Sequence, residues 1–226
     1  MRDLDQRITT CTRCARLVEW RAEVSRTRRA AYRDQEYWGL PIPGFGPGDA
    51  RIAIVGLAPG AHGANRTGRV FTGDRSGDVL TSCMYAAGLA DQPTSTGPGD
   101  GLELIDARLL CAVRCAPPQN RPSADEQAAC HPFLVEELSR LPLQVIVALG
   151  QLAWNAAHGA LTDLGHPVRP RPRFSHGGSY AAGPVTVLGS YHPSQQNTFT
   201  GRLTPDMLTH VLVRAATIAG ADGDSG

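Results

Sequence analysis

Lysine is absent from this chain: all 22 basic residues among its 226 are arginine. No side-chain amine is at hand, which excludes mechanisms that form an imine with a side chain. Aromatic residues make up only 6% of the sequence, so any stacking chemistry must rest on few rings. There is no apolar run of about 18 residues, and the chain does not open on a charged segment followed by an apolar one. The expectation is a cytoplasmic protein without membrane contact. A glycine-dense stretch, GLAPGAHGANRTGRVFTGD (56–74), lacks the Gly-Lys-Ser/Thr ending with which a phosphate loop holds a nucleotide. It carries a single carboxylate, Asp74, and a single aromatic ring, Phe71.

Charge is balanced overall, at +1, but unevenly placed. Residues 1–33 hold nine arginines against four acids, and Arg169, Arg171 and Arg173 alternate with prolines. Local positive faces suit a polyanion, although solvated arginines on a helix and a loop would read the same way.

Four apolar runs read as buried strands: 51–57, 108–114, 143–150 and 185–191. Helical patterns lie between them at 76–89, at about 151–159 and at 203–219, and Ser123-Ala-Asp-Glu126 is a capping box opening a helix through about Arg140. This alternation predicts an α/β protein, a three-layer α/β/α arrangement around a four-stranded, mostly parallel sheet. Residues 1–50 are expected as an N-terminal helical extension, 51–219 as the core of a single domain and 220–226 as a flexible tail. In such sheets ligands gather at the carboxyl ends of the strands. Three unusual stretches follow directly on strands there: GLAPG, CAPPQN and SYHPSQQN.

Of the six cysteines, Cys11 and Cys14 form a C-x-x-C pair, and Cys115 and Cys130 form a wider second pair. Two thiolate pairs can close a four-sulfur site. The spacing leaves an iron–sulfur cluster, a zinc ion and unligated thiols open. Cys83, in an amphipathic helix, and Cys111, inside a strand, are expected in the core.

With these elements in place the chain resembles the iron–sulfur uracil-DNA glycosylases, most closely the family 5 branch. The likeness is carried by C-x-x-C-x-R-L at 11–17, by the glycine-dense stretch at 56–74, by VRCAPPQNRPS at 113–123, by VALG at 147–150 and by SYHPSQQNTFTGRL at 190–203. It implies a four-iron four-sulfur cluster on Cys11, Cys14, Cys115 and Cys130. It also implies a monomeric repair enzyme that hydrolyses the N-glycosidic bond of uracil, and of bases such as hypoxanthine, xanthine and hydroxymethyluracil, in DNA, leaving an abasic site. A cluster-bearing protein that recognises damaged bases without cleaving them is the alternative.

The resemblance gives individual residues expected roles. Gly60, Ala61 and Phe71 would surround a flipped base, glycine allowing close backbone approach and the ring stacking on the base. Asp74 would be the anion beside a developing sugar cation, and His192 a donor to the departing base. Asn120 joins the catalytic set. Gln195, Asn197 and Arg202 would lie along the DNA, with a plain solvated loop as the competing reading. Phe71 also reads as a core aromatic, Asp74 as a helix N-cap and His192 as an incidental loop histidine. Leu57 and Ala58 stand where other branches carry a carboxylate or asparagine, and Cys111 lies near the register of their base-reading asparagine. Broad base choice is the expected consequence.

Overall fold

The computed structural model describes residues 1–221. Two helices open the chain, α1 (Arg2–Thr9) and α2 (Ala15–Thr27), followed by β1 (Ile52–Gly56), the short α3 (Ala64–Thr67) and α4 (Arg75–Ala86). Next come β2 (Ala107–Cys111), α5 (Ala124–Ser139), β3 (Val145–Leu149) and α6 (Gln151–Asp163). The chain continues through β4 (Ser179–Ala182), β5 (Val185–Ser190), α7 (Gln195–Phe199) and α8 (Pro205–Ala221).

The strands pair in the order β2-β1-β3-β5-β4, with β2, β1, β3 and β5 parallel. The expected four strands are therefore present, and a fifth corrects the count: β4 pairs antiparallel with β5. Its sequence, Ser-Tyr-Ala-Ala, contains no apolar run and only Ala182 is buried, because an edge strand has one neighbour and an exposed face. The α/β class is unchanged.

Every residue of β1, β2 and β3 is buried, as a sheet covered on both faces requires. Alternation divides β1 between two layers. Ile52 and Ile54 pack with Leu80, Met84, Leu208 and Leu212 of α4 and α8, while Ala53 and Val55 pack with Leu134, Leu138, Trp154 and Leu161 of α5 and α6. The capping box at α5 is formed, Ser123 accepting from Glu126 N–H and the Glu126 carboxylate accepting from Ser123 N–H at 2.7 Å. At the other end of the chain α8 continues through Gly220 and Ala221, and the rest of the expected tail, 222–226, lies outside the described residues.

The N-terminal helices dock on α5. Leu4 and Ile8 pack against Phe133, and the carboxylates of Asp3, Glu136 and Glu126 pair with Arg140, Arg7 and Arg16. Two of the clustered arginines, Arg7 and Arg16, thus hold the extension to the core. No helix among the described residues is long and apolar enough to cross a membrane.

Candidate functional site

The carboxyl ends of β1, β2 and β5 open into a cleft of about 580 Å³. Gly60, Ala61, Phe71, Asp74, Asn120, His192 and Gln195 all line it, although they come from loops scattered over more than a hundred residues. Asn197 and Arg202 are not among the lining residues. Asn197 donates its amide to the His192 carbonyl at 2.9 Å, and Arg202 stacks on Tyr191 at 4.5 Å. Asn197 thus braces the backbone at the histidine, and Arg202 packs on its neighbour Tyr191.

Asp74 serves two purposes with its two oxygens. Oδ1 accepts from Gly77 N–H at 3.0 Å and caps α4, so the helix-cap reading of this residue holds. Oδ2 faces the glycines of the first loop: a β-carbon on Gly60 would stand 2.7 Å from it, and one on Gly63 would overlap it. The carboxylate can occupy its place only because these two positions carry no side chain. Burial raises its pKa above the usual carboxylate value, opposed by the N–H groups of the helix end and by the Arg66 charge.

Phe71 is held at φ +50°, a conformation that an aromatic residue adopts only when its surroundings enforce it. Its ring end lies over Gly56, where a β-carbon would come within 2.5 Å, and its face is tilted 34° to His192 at 6.1 Å between centroids. The ring therefore faces the cleft as well as the core. Burial lowers the His192 pKa to about 4, so the imidazole is neutral near pH 7. Asn120 also has positive φ, at +56°, and its exposed side chain has no hydrogen-bond partner among the described residues.

Several lining residues were not expected from the sequence to take part in a site. Cys111 is in the core as expected, yet it ends β2 at the cleft wall, where burial raises its thiol pKa to about 12 and keeps it neutral. His62 shares its Nδ1 with the Tyr37 hydroxyl at 3.0 Å. Arg29 and Tyr32 reach the cleft from the N-terminal extension. The glycine-dense motif contained a signal for His62. Arg29 belongs to the arginine-rich stretch 1–33, whose charge pointed to a polyanion and not to this cleft, and nothing local marked Tyr32; only the docking of the extension brings the two there. Arg169, Arg171 and Arg173 are exposed and do not line the cleft.

The four paired cysteines line one small pocket between the extension and the core. Cys130 Sγ accepts from the Arg114 N–H at 3.2 Å. Arg114 lines the same pocket, fully buried, with its Nε and Nη1 unpaired among the described residues. Burial raises the pKa of Cys14, Cys115 and Cys130, Cys115 to about 12. No three His, Cys, Asp or Glu side chains among the described residues converge as ligands of a single metal ion.

An open, mostly parallel sheet with a glycine-walled cleft, a half-buried carboxylate and a neutral imidazole at its strand ends defines an α/β protein with its candidate site at the carboxyl ends of the strands. The chain belongs to the uracil DNA glycosylase superfamily, whose family model matches residues 43–215. It is 48% identical over 223 residues to the type-5 uracil-DNA glycosylase of Mycobacterium tuberculosis, covering 97% of this chain and 82% of that one. Similar relatives are the type-5 enzymes of Mycobacterium leprae, at 49% over 222 residues (96% and 95% covered), and Thermus thermophilus, at 49% over 219 residues (95% and 96%).

Proposed function

We propose that this protein is a uracil-DNA glycosylase that hydrolyses the bond between base and deoxyribose and leaves an intact abasic site. The observation that carries the reading is the half-buried Asp74, whose Oδ2 faces Gly60 and Gly63 in the cleft that Phe71, Asn120 and His192 also line. Hydrolysis adds water oxygen to the sugar's anomeric carbon while the base leaves with the bonding pair. The sugar becomes cationic and the base anionic on the way. Asp74 stabilises the first charge and orients the water. His192, neutral near pH 7, donates to a base oxygen without carrying a charge of its own. Phe71 stacks on the extruded base.

Base choice is broad in this reading. Leu57, Ala58, Gly60 and Ala61 line the cleft without a side-chain amide or carboxylate, and a site that makes few obligatory hydrogen bonds rejects few analogues. Hypoxanthine, xanthine and hydroxymethyluracil are accepted alongside uracil.

Cys11, Cys14, Cys115 and Cys130 hold a four-iron four-sulfur cluster. Four sulfurs around one pocket that do not converge on a single ion suit a group larger than zinc, whose sulfur ligands lie about 2.3 Å from one point. The unpaired donors of Arg114 suit an anionic occupant. When bound, the cluster cross-links the extension to the core.

The test is incubation with duplexes carrying uracil, hypoxanthine, xanthine or hydroxymethyluracil, followed by detection of abasic sites. Binding without abasic product would favour a damage-recognition protein.

A further inference from the structure

Arg66, on the short α3, makes four contacts with one guanidinium. Nη2 donates to the Gly73 carbonyl at 2.7 Å, Nε to the His62 carbonyl at 2.8 Å and Nη1 to the Gln35 side chain at 2.6 Å, while the group stacks over the Tyr32 ring at 4.0 Å. Two of these contacts lie within the catalytic loop, and Gly73 immediately precedes Asp74. The other two belong to the segment between α2 and β1, which also donates Trp38 N–H to Arg66 O and Gly39 N–H to Asn65 O, at 2.9 and 3.0 Å. The packing at Gly73 is tight: a β-carbon there would come within 2.5 Å of Arg66 Nη2.

We propose that Arg66 is a positioning residue that couples two parts of the site: it sets the backbone from which Asp74 projects, and it holds the 29–39 arm as a wall of the cleft. The inference rests on Asp74 being the reactive carboxylate. A planar guanidinium can do this because its donors leave in fixed, divergent directions. A carbonyl held at residue 73 limits the rotation of the next peptide, and with it the place of the Asp74 Oδ2. The arm brings Arg29 and Tyr32 to the cleft, so loosening Arg66 loosens a wall and a catalytic group together.

Charge provides a second, separable effect. The charged and titratable groups acting on Asp74 are Asp78 of α4, Arg66 of α3 and Cys111 at the end of β2, and Arg75, His62 and His192 share the cleft wall with it. Arg66 acts against the burial that raises the Asp74 pKa. Removing the Arg66 charge raises that pKa further, and the acid limb of the rate profile moves to higher pH.

The experiment uses the full chain and compares Arg66→Gln, Arg66→Lys and Asp74→Asn. It follows single-turnover excision of uracil from a duplex against pH and amide exchange over residues 29–39. Arg66→Gln is expected to slow excision at least about tenfold, since small misplacements of a reacting group are costly, to move the acid limb upward and to speed exchange in the arm. Arg66→Lys keeps the charge but loses the fork: its limb stays at the wild-type pH while its rate falls and its arm exchanges faster. A wild-type rate and limb in Arg66→Gln, or arm exchange unchanged in both variants, overturns the proposal. Asp74→Asn separates the two failures. A wild-type rate there refutes the carboxylate's role, whereas a slow Asp74→Asn beside a wild-type Arg66→Gln refutes only the tie. Should Arg66→Gln fail to fold, the Tyr32→Ala, Gln35→Ala double variant removes the arm's half of the contacts. It is expected to exchange faster in the arm and to excise uracil more slowly, and wild-type values of both overturn the coupling.

Discussion

Gly60 and Asp74 are packed so closely that a β-carbon on the glycine would stand 2.7 Å from the carboxylate Oδ2. With Gly60 expected beside the flipped base, size alone would make a side chain at this position a steric gate, and a tyrosine there would suppress only the larger bases. The packing changes that expectation. Gly60→Tyr displaces the carboxylate before its ring reaches the base, so excision of uracil falls along with that of hypoxanthine. Gly63→Ala, which adds one methyl group against the same oxygen, shows the same uniform loss. Single-turnover rates on both substrates check this, and loss confined to hypoxanthine restores the gate.

Asp74→Asn is expected to lower the excision rate by roughly 10²–10³, the usual consequence of removing one transition-state electrostatic contact. The fold should not suffer. Asparagine caps helices as well as aspartate does, so the contact to Gly77 survives. The folded-state pKa of Asp74 is raised, so its ionisation opposes folding as pH rises through that value. Removing the charge leaves the melting temperature at neutral pH unchanged or higher, and a lower one contradicts the argument.

His192 makes stability depend on pH in the opposite sense. Its pKa falls from 6.5 to about 4 on folding, so the contribution is complete above 6.5 and is lost as pH falls towards 4. The span corresponds to about 3 kcal/mol. Denaturant titrations of wild type and His192→Gln between pH 7 and 4 check it: the variant should lose less stability over that range. Equal losses would mean that His192 is not the group held neutral on folding.

The cysteine pocket predicts a brown protein with broad visible absorption that bleaches on reduction. Cys130→Ser is expected to lose that colour together with solubility, because the extension loses its cross-link to the core. Iron and sulfide analysis settles the occupant, and a colourless protein with stoichiometric zinc contradicts it.

Arg26, Arg28, Arg29, Arg169, Arg171 and Arg173 are all exposed. Replacing them together is expected to weaken DNA binding with little regard to sequence and to flatten its dependence on salt. Titrations at several salt concentrations measure the slope, and an unchanged slope reduces these residues to solvated faces. Arg7, Arg16 and Arg140 are excluded from the set because their carboxylate partners hold the extension in place.

The four parallel strands, the capping box at Ser123 and the convergence of three post-strand loops were legible in the sequence. Each is written in local order: apolar runs covered on both faces, a side chain reaching three residues along, a turn directly after a strand. The edge strand Ser179–Ala182 was not, since its half-exposed residues carry no apolar pattern. Sequence also left Asp74 with two competing readings; the structure shows the cap, one oxygen accepting from Gly77 N–H, and turns the other oxygen to the glycines, which leaves it free for the proposed catalytic part. Which arginines hold the protein together, and that Arg66 joins Gln35 to Gly73 across 31 and 7 residues, only the tertiary structure decided. A guanidinium reaches whatever folding brings near it, and its own neighbours in sequence do not record those partners.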